Sequence, residues 1–229
     1  MTDLQQQTLA DLVAANPAAA RILDAFGLDY CCHGDRTMEG ACAAAGLDVE
    51  DVKATLAELE IEGDTSWTGL DGPALADHIL GTHHAYLHAE LPLLESLAAK
   101  VLGVHGERHP ELAEVARLVV CVRADLEPHM MKEERILFPA IHALAAGTTE
   151  FPFGSVANPI RTMRLEHDRC GDLLAALRAA TVSYTVPADA CASYRSLYER
   201  LEALELDTHL HIHKENHVLF PAAIALTER

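Results

Sequence analysis

His129-Met-Met-Lys-Glu-Glu-Arg-Ile-Leu-Phe-Pro-Ala140 and His211-Ile-His-Lys-Glu-Asn-His-Val-Leu-Phe-Pro-Ala222 are one pattern written twice, at a constant offset of 82 residues. Leu137 to Ala140 fall on Leu219 to Ala222, Glu133 falls on Glu215, and Asp125 falls on Asp207. Both halves therefore carry D-x-x-x-H-x-x-x-E ahead of LFPA. Residues four apart on an α-helix share one face. His129 with Glu133, and His211 with Glu215, thus read as imidazole–carboxylate pairs one turn apart. The apolar stripe around His129 includes Val122, Leu126 and Ile136, and that around His211 includes Leu204 and Val218. Each pair is expected to face a core, in a duplicated helix pair.

Outward from the repeat, apolar residues recur at helical spacing and no alternating strand pattern persists, which predicts an all-α fold. Four long helical segments cover about 73–103, 111–146, 156–182 and 188–227, broken at His109-Pro110, Thr148 to Gly154, and Pro187. Short connections between them predict an antiparallel four-helix bundle spanning 71–229. Residues 1–62 read as a small helical domain. There Thr8 to Phe26 is interrupted by Asn16-Pro17, and helical patterns resume near Thr37–Ala45 and Val49–Leu59. Glu62 to Gly72 is polar and glycine-rich and reads as a linker.

The chain has 229 residues, with 17 Lys plus Arg against 35 Asp plus Glu, a net charge of −18. Half of it is hydrophobic, which excludes wholesale disorder. The acidic balance argues against nucleic acid and against an anionic membrane surface, both of which need clustered Lys and Arg. No apolar run is long enough to span a bilayer, and the N-terminus has no secretory pattern. A cytoplasmic protein is expected, with its six cysteines as thiols.

If the duplication is real, the first helix of each half offers a further partner. His84 precedes His129 by 45 residues, and His167 precedes His211 by 44. His84 lies on a stripe with Leu80, Leu87 and Leu91; His167 lies with Ile160, Met163, Cys170 and Leu174. His83 and His88 fit less well. The resulting set is His84, His129, Glu133, His167, His211 and Glu215. Buried imidazoles and carboxylates are costly unless paired or metal-bound. Mixed N/O donors without thiolate suit neither a closed structural zinc site nor calcium, and suit iron, with manganese or zinc as competitors. Two glutamates that each bridge two metals would serve two irons, about two imidazoles on each. A diferrous pair with two Glu, and an oxide-bridged diferric pair with the same two Glu, both leave roughly +2 of buried charge. The ferritin-like pattern of E-x-x-H is absent, and H-x-x-x-E with lone His partners points to a hemerythrin-like bundle.

With Tyr30-Cys31-Cys32 in the N-terminal unit, these motifs resemble the bacterial repair-of-iron-centres family, the ScdA/YtfE-like di-iron proteins. The resemblance runs over nearly the whole chain. It implies two non-haem irons, oxo-bridged when oxidised, on the six residues just named. It also implies repair of iron–sulfur clusters after nitrosative or oxidative damage, by iron donation or by reduction of NO to N2O. Expected partners are damaged iron–sulfur proteins or their assembly machinery, with NO or O2 as small ligands; homodimerisation stays open. Two other classes remain: a hemerythrin-like O2- or NO-binding or sensing protein without turnover, and a thiol oxidoreductase using Cys31-Cys32.

Several residues carry secondary expectations. Pro128 is expected to kink the helix before His129, and His33 follows the Cys pair where some family members have Gly. His209, His213 and His217, also four apart, have no counterpart in the first half and read as a solvated face. Asp125 and Asp207 could each accept the second ring N–H of the motif histidine. Glu134 and Glu166 read as surface or channel acids. Cys31 and Cys32 are candidates for a redox switch or relay, in a turn expected to be exposed. Cys42, Cys121, Cys170 and Cys191 read as buried thiols, and Met130 and Met131 as packing.

Overall fold

The computed structural model describes residues 4–59 and 64–227. The boundary drawn at 62 and the start of the linker, Glu62-Gly63, lie outside them. The regular elements of the described residues are all helices, and one isolated antiparallel bridge joins Thr8 and Thr37.

After a 3-10 turn at Leu4–Gln6 come α1 (Leu9–Ala15), α2 (Ala19–Ala25), α3 (Met38–Ala45) and α4 (Val49–Ala57). Their ends are written locally. The Thr8 and Thr37 hydroxyls accept the N–H groups of Asp11 and Gly40, and the Asp48 carboxylate accepts that of Glu50. Asn16-Pro17 separates α1 from α2, and Gly46, at φ +70°, ends α3 in the left-handed conformation that glycine adopts without strain. Leu9, Val13, Leu23, Tyr30, Met38 and Val52 form the core of this unit, and Ile212 from the bundle packs into it.

Four long rods make the bundle. The first is α5 (Gly72–Ile79) and α6 (Ala85–His105), joined by a π-helical turn at Leu80–His84. The second is α7 (Glu111–Lys132) and α8 (Phe138–Ala145), joined by a π turn at Glu133–Leu137. The third is α9 (Ala157–Ala180). The fourth is α10 (Ala192–His213) and α11 (Phe220–Leu226), joined by a π turn at Lys214–Leu219. α5, which begins the first rod, packs on α8, which ends the second, so these two run antiparallel; α11, which ends the fourth, also lies on α8, so the second and fourth run the same way. Asp71 caps α5 by accepting the Ala74 N–H, with Pro73 in the first turn.

The interior is layered. One apolar layer contains Leu87, Leu91, Leu126, Met130, Leu174 and Leu204. The other contains Trp67, Ile79, Leu137, Phe138, Ile160 and Phe220. Each fully buried leucine contributes roughly 2 kcal/mol, and together these layers offset the cost of the polar layer between them. Trp67 corrects the linker reading, because its ring is buried rather than solvated.

Three stripe residues are also corrected. Leu80 and Ile136 are 41% and 46% exposed, and Val218 is only half-buried, whereas Ile79, Leu137 and Leu219 are buried. The cause is common to all three. A π turn closes i→i+5 instead of i→i+4 and holds one extra residue, so it moves the inward face by one position. Phe138 N–H donates to Glu133 O and Phe220 N–H to Glu215 O in this pattern. Pro139 and Pro221 follow directly. Each lacks an N–H and crowds the carbonyl four residues back, and the wide turn accommodates both defects. Pro128 also lies inside a helix, and α7 continues past it to Lys132.

Candidate metal centre

His84, His129, Glu133, His167, His211 and Glu215 converge between the apolar layers, and all six are buried. They form two four-donor sets: His84, Glu133, His211 and Glu215, and His129, Glu133, His167 and Glu215. Within each set the donor atoms lie within 4.8 Å of one another. Both carboxylates belong to both sets, and each imidazole to one. Glu133 Oε2 is 3.2 Å from His129 Nε2 and 3.5 Å from His84 Nε2. Glu215 reaches His211 Nε2 through Oε1 and His167 Nε2 through Oε2, each at 3.1 Å.

The far side of each ring fixes its tautomer. His84 Nδ1 lies 3.0 Å from Glu134 Oε1, His129 Nδ1 lies 3.0 Å from Glu166 Oε2, and His167 Nδ1 lies 3.0 Å from Asn216 Oδ1. An N–H on Nδ1 satisfies each acceptor and leaves the Nε2 lone pair pointing inward. His211 Nδ1 is the exception, with no hydrogen-bond partner among the described residues; the ring of His83 stacks on it at 5.4 Å.

The donors fit a pair of cations. His129 and His167 face each other Nε2 to Nε2 at 3.1 Å, and His84 and His211 do so at 3.2 Å. Two ring nitrogens at that distance need a proton or a cation between them. Both oxygens of Glu133, and Oε2 of Glu215, are buried without a hydrogen bond of acceptable geometry. Leaving a buried charged oxygen in that condition costs at least about 1–3 kcal/mol. The same electrostatics act on protons. Burial pulls the His129 imidazole down, but the negative charge of Glu133 3.2 Å away, with Glu166, carries it up to about 10. Burial raises the Glu215 carboxyl, and His211 and His167 together hold it well below its usual range.

The LFPA motif does two jobs here. Its proline follows the wide turn, and its phenylalanine supplies an apolar shelf. Phe138 stacks on His84 at 5.3 Å, and Phe220 stacks on His167 at 5.9 Å. A cavity of about 220 Å³, bordered by Pro128, His129, Lys132, Glu166, His167 and Arg169, reaches the second donor set.

Asp125 and Asp207 take other partners. Asp125 binds Arg169, and Asp207 accepts from His83 Nδ1 at 2.9 Å. The acceptors are instead Glu134, Glu166 and Asn216, which helical spacing from each ligand's own rod cannot identify because they arrive from neighbouring rods. Glu166 also pairs with Lys132, and Glu134 also binds His88 at 2.8 Å.

The His209, His213 and His217 ladder is covered by the N-terminal unit. His209 Nδ1 lies 2.7 Å from Asp24, His213 packs against the Tyr30 ring, and His217 Nε2 lies 3.0 Å from the Cys31 carbonyl. Lys214 was passed over in the sequence and is 1% exposed. Its Nζ lies 2.8 Å from His83 and 3.1 Å from His78, and 5.3 Å from the Trp67 ring centre. Burial pushes its ammonium down to about 8.

All six cysteines are free. Cys31 is buried, contrary to the expected exposed turn, and Cys32 is half-buried beside it. Cys42 and Cys170 are buried, whereas Cys121 is only half-buried and Cys191 is exposed at the N-cap of α10. Met130 is buried, but Met131 is exposed.

Comparison with known proteins agrees with this geometry. A family model described as the hemerythrin HHE cation binding domain matches residues 75–223. A second, the ScdA N-terminal domain of unknown function, matches residues 5–60. The chain is 36% identical over 223 residues to the iron-sulfur cluster repair protein YtfE of Enterobacter sp. (strain 638), covering 96% of this chain and 98% of that protein. It is 34% identical to a probable iron-sulfur cluster repair protein of Haemophilus influenzae, covering 96% and 97% respectively. It is 35% identical to the YtfE protein of Escherichia coli O157:H7, covering 96% and 98%.

Proposed function

Because the chain belongs to the family of iron–sulfur cluster repair proteins that joins an ScdA-type domain to a hemerythrin-type domain, we propose that it holds two non-haem irons and repairs clusters damaged by nitrosative or oxidative stress. The observation that carries the reading is the pair of four-donor sets sharing Glu133 and Glu215. His84 and His211 would hold one iron, His129 and His167 the other, and the two carboxylates both. Imidazole and carboxylate donors without thiolate suit iron. When bound, such a pair supplies one-electron redox capacity at each ion and open positions for a small ligand.

The chain's own residues set the conditions. Glu134, Glu166 and Asn216 keep three imidazoles in the ligating tautomer. Phe138 and Phe220 exclude water from two ring faces. The cavity beside His129 and His167 supports entry of nitric oxide, or exit of iron, on that side. The thiol oxidoreductase reading is weaker, because the Cys32 sulfur and burial push the Cys31 thiol well above its ordinary range and thiolate is the reactive form. Free cysteines throughout, and described helices none of which is long and apolar enough to cross a membrane, support the cytoplasm as the site of action.

Two measurements on the iron-loaded, reduced protein test the proposal together: N2O formed from NO in a single turnover, and reconstitution of an apo iron–sulfur protein. At least one is expected to be positive. Failure of both, with iron present, would overturn repair and leave a carrier or sensor of O2 or NO.

A further inference from the structure

A second group of side chains with metal-ligating atoms lies outside the bundle centre, where the N-terminal unit meets α9. Asp29, Cys31 and Cys32 bring a carboxylate oxygen and two sulfurs within 4.8 Å of one another. The sulfurs are 3.8 Å apart. At metal–sulfur bonds of ~2.3 Å, two thiolates on a tetrahedral ion lie about 3.8 Å apart, so the cysteines already stand at that spacing. Asp29 Oδ1 is 3.2 Å from Cys31 Sγ, with the Cys31 thiol donating to it. The thiol proton thus occupies the space between sulfur and oxygen that a cation would take.

The group is held in place. Asp29 Oδ1 accepts the backbone N–H of Cys31 at 3.1 Å and of Cys32 at 2.8 Å, and Oδ2 lies 2.6 Å from His33 Nδ1. Asn216 Nδ2 donates to the Cys31 carbonyl at 3.1 Å. Gly34 admits no side chain, because a Cβ there would stand 2.3 Å from the Tyr30 carbonyl oxygen. The loop that carries the donors is therefore preset.

Charge points the same way. Burial works against the Asp29 carboxylate, yet its hydrogen bonds from His33 and Cys32 bring it to about 2. It remains an anion beside two thiols; the Cys32 sulfur, burial and this anion push the Cys31 thiol up, so its proton leaves only when a cation takes its place. The group borders a cleft of about 450 Å³. Asp168 and Asp172, one turn apart on α9, line that cleft and form no ion pair among the described residues. The cleft's Arg178 is taken by Glu205, and its His209 by Asp24.

We propose that Asp29, Cys31 and Cys32 form a second cation site, which takes a thiophilic divalent ion from the acidic cleft with one coordination position left open to it. Binding releases both thiol protons and leaves one carboxylate and two thiolates around the ion, a net charge of −1. No electron is exchanged. Such a site suits zinc, ferrous or cobaltous ion, and stands independently of the repair reading.

Cobalt(II) alone, titrated anaerobically into the full-length, reduced protein with its bundle already loaded with iron, tests this. A near-ultraviolet thiolate-to-cobalt band is expected to saturate at one equivalent per chain. It should vanish in C31S and C32S, weaken about tenfold or more in apparent affinity in D29N, and persist in C170S. Zinc at one equivalent should also protect Cys32 of the unmutated protein from alkylation, a measurement that needs no variant to fold. A missing band in the unmutated protein, a band surviving in C32S, or alkylation indifferent to zinc would each overturn the site.

Discussion

Glu134, Glu166 and Asn216 decide what the six converging donors can do. An imidazole with either nitrogen protonated is nearly isoenergetic in water. Here the proton is drawn to Nδ1 by an acceptor 3.0 Å away on His84, His129 and His167. Loss of such a partner commonly lowers metal affinity 10–100-fold. E166A is therefore expected to lose iron to a competing chelator about tenfold or more faster than the unmutated protein, and E166Q, which keeps a carbonyl acceptor, to lose less. Equal retention in E166A would mean that the surrounding packing alone orients His129. Asn216 has a second role, since one amide group accepts a hydrogen bond from His167 Nδ1–H and donates to the Cys31 carbonyl. That single side chain joins the bundle centre to the cysteine loop.

At the scale of the elements, the wide turns separate what the sequence makes readable from what it hides. His129 closes the α-helical stretch and Glu133 opens the π turn four residues on, so their shared face follows from α spacing. Past Glu133 the turn holds an extra residue, and the same spacing wrongly selects Ile136 over Leu137. Leu80 and Val218 fail for the same reason. The N-terminal unit hides a different fact. The ladder of His209, His213 and His217 lies off the inward stripe, and helical periodicity cannot say whether that outer face meets water or another unit. Lys214 and Lys132 occupy equivalent repeat positions, yet one is buried under Trp67 and against His78 and His83, and the other pairs with Glu166 at the surface. The prolines after the turns offer a test. Proline inside a helix costs about 3 kcal/mol, so P139A and P221A should restore an ordinary ladder and hold or raise the thermal midpoint. The inward face would then shift by one residue, and iron content should fall. Unchanged iron content would show that other contacts set the wide turns.

Across the whole molecule, the duplication is interleaved rather than partitioned. His84 and His129 come from the first half, and His167 and His211 from the second. The donor sets nevertheless pair His84 with His211 and His129 with His167, so each takes one imidazole from each half. Glu133 and Glu215, one from each half, enter both. Neither half can assemble a complete set, which explains why the ligands are repeated while the surroundings have diverged. This pairing makes an ordered prediction. H84A and H211A should weaken the same iron, and the double variant H84A/H211A should still retain close to one iron per chain. H84A/H129A takes one donor from each set and should approach none, although it also removes just two imidazoles. E133A and E215A should each disturb both ions, since either carboxylate serves both sets and its loss leaves two buried cations with one fewer anion between them. Iron content together with Mössbauer spectra of these variants would decide. If H84A/H211A loses both irons while H84A/H129A keeps one, the ions are divided by repeat half, and the cross-paired arrangement is wrong.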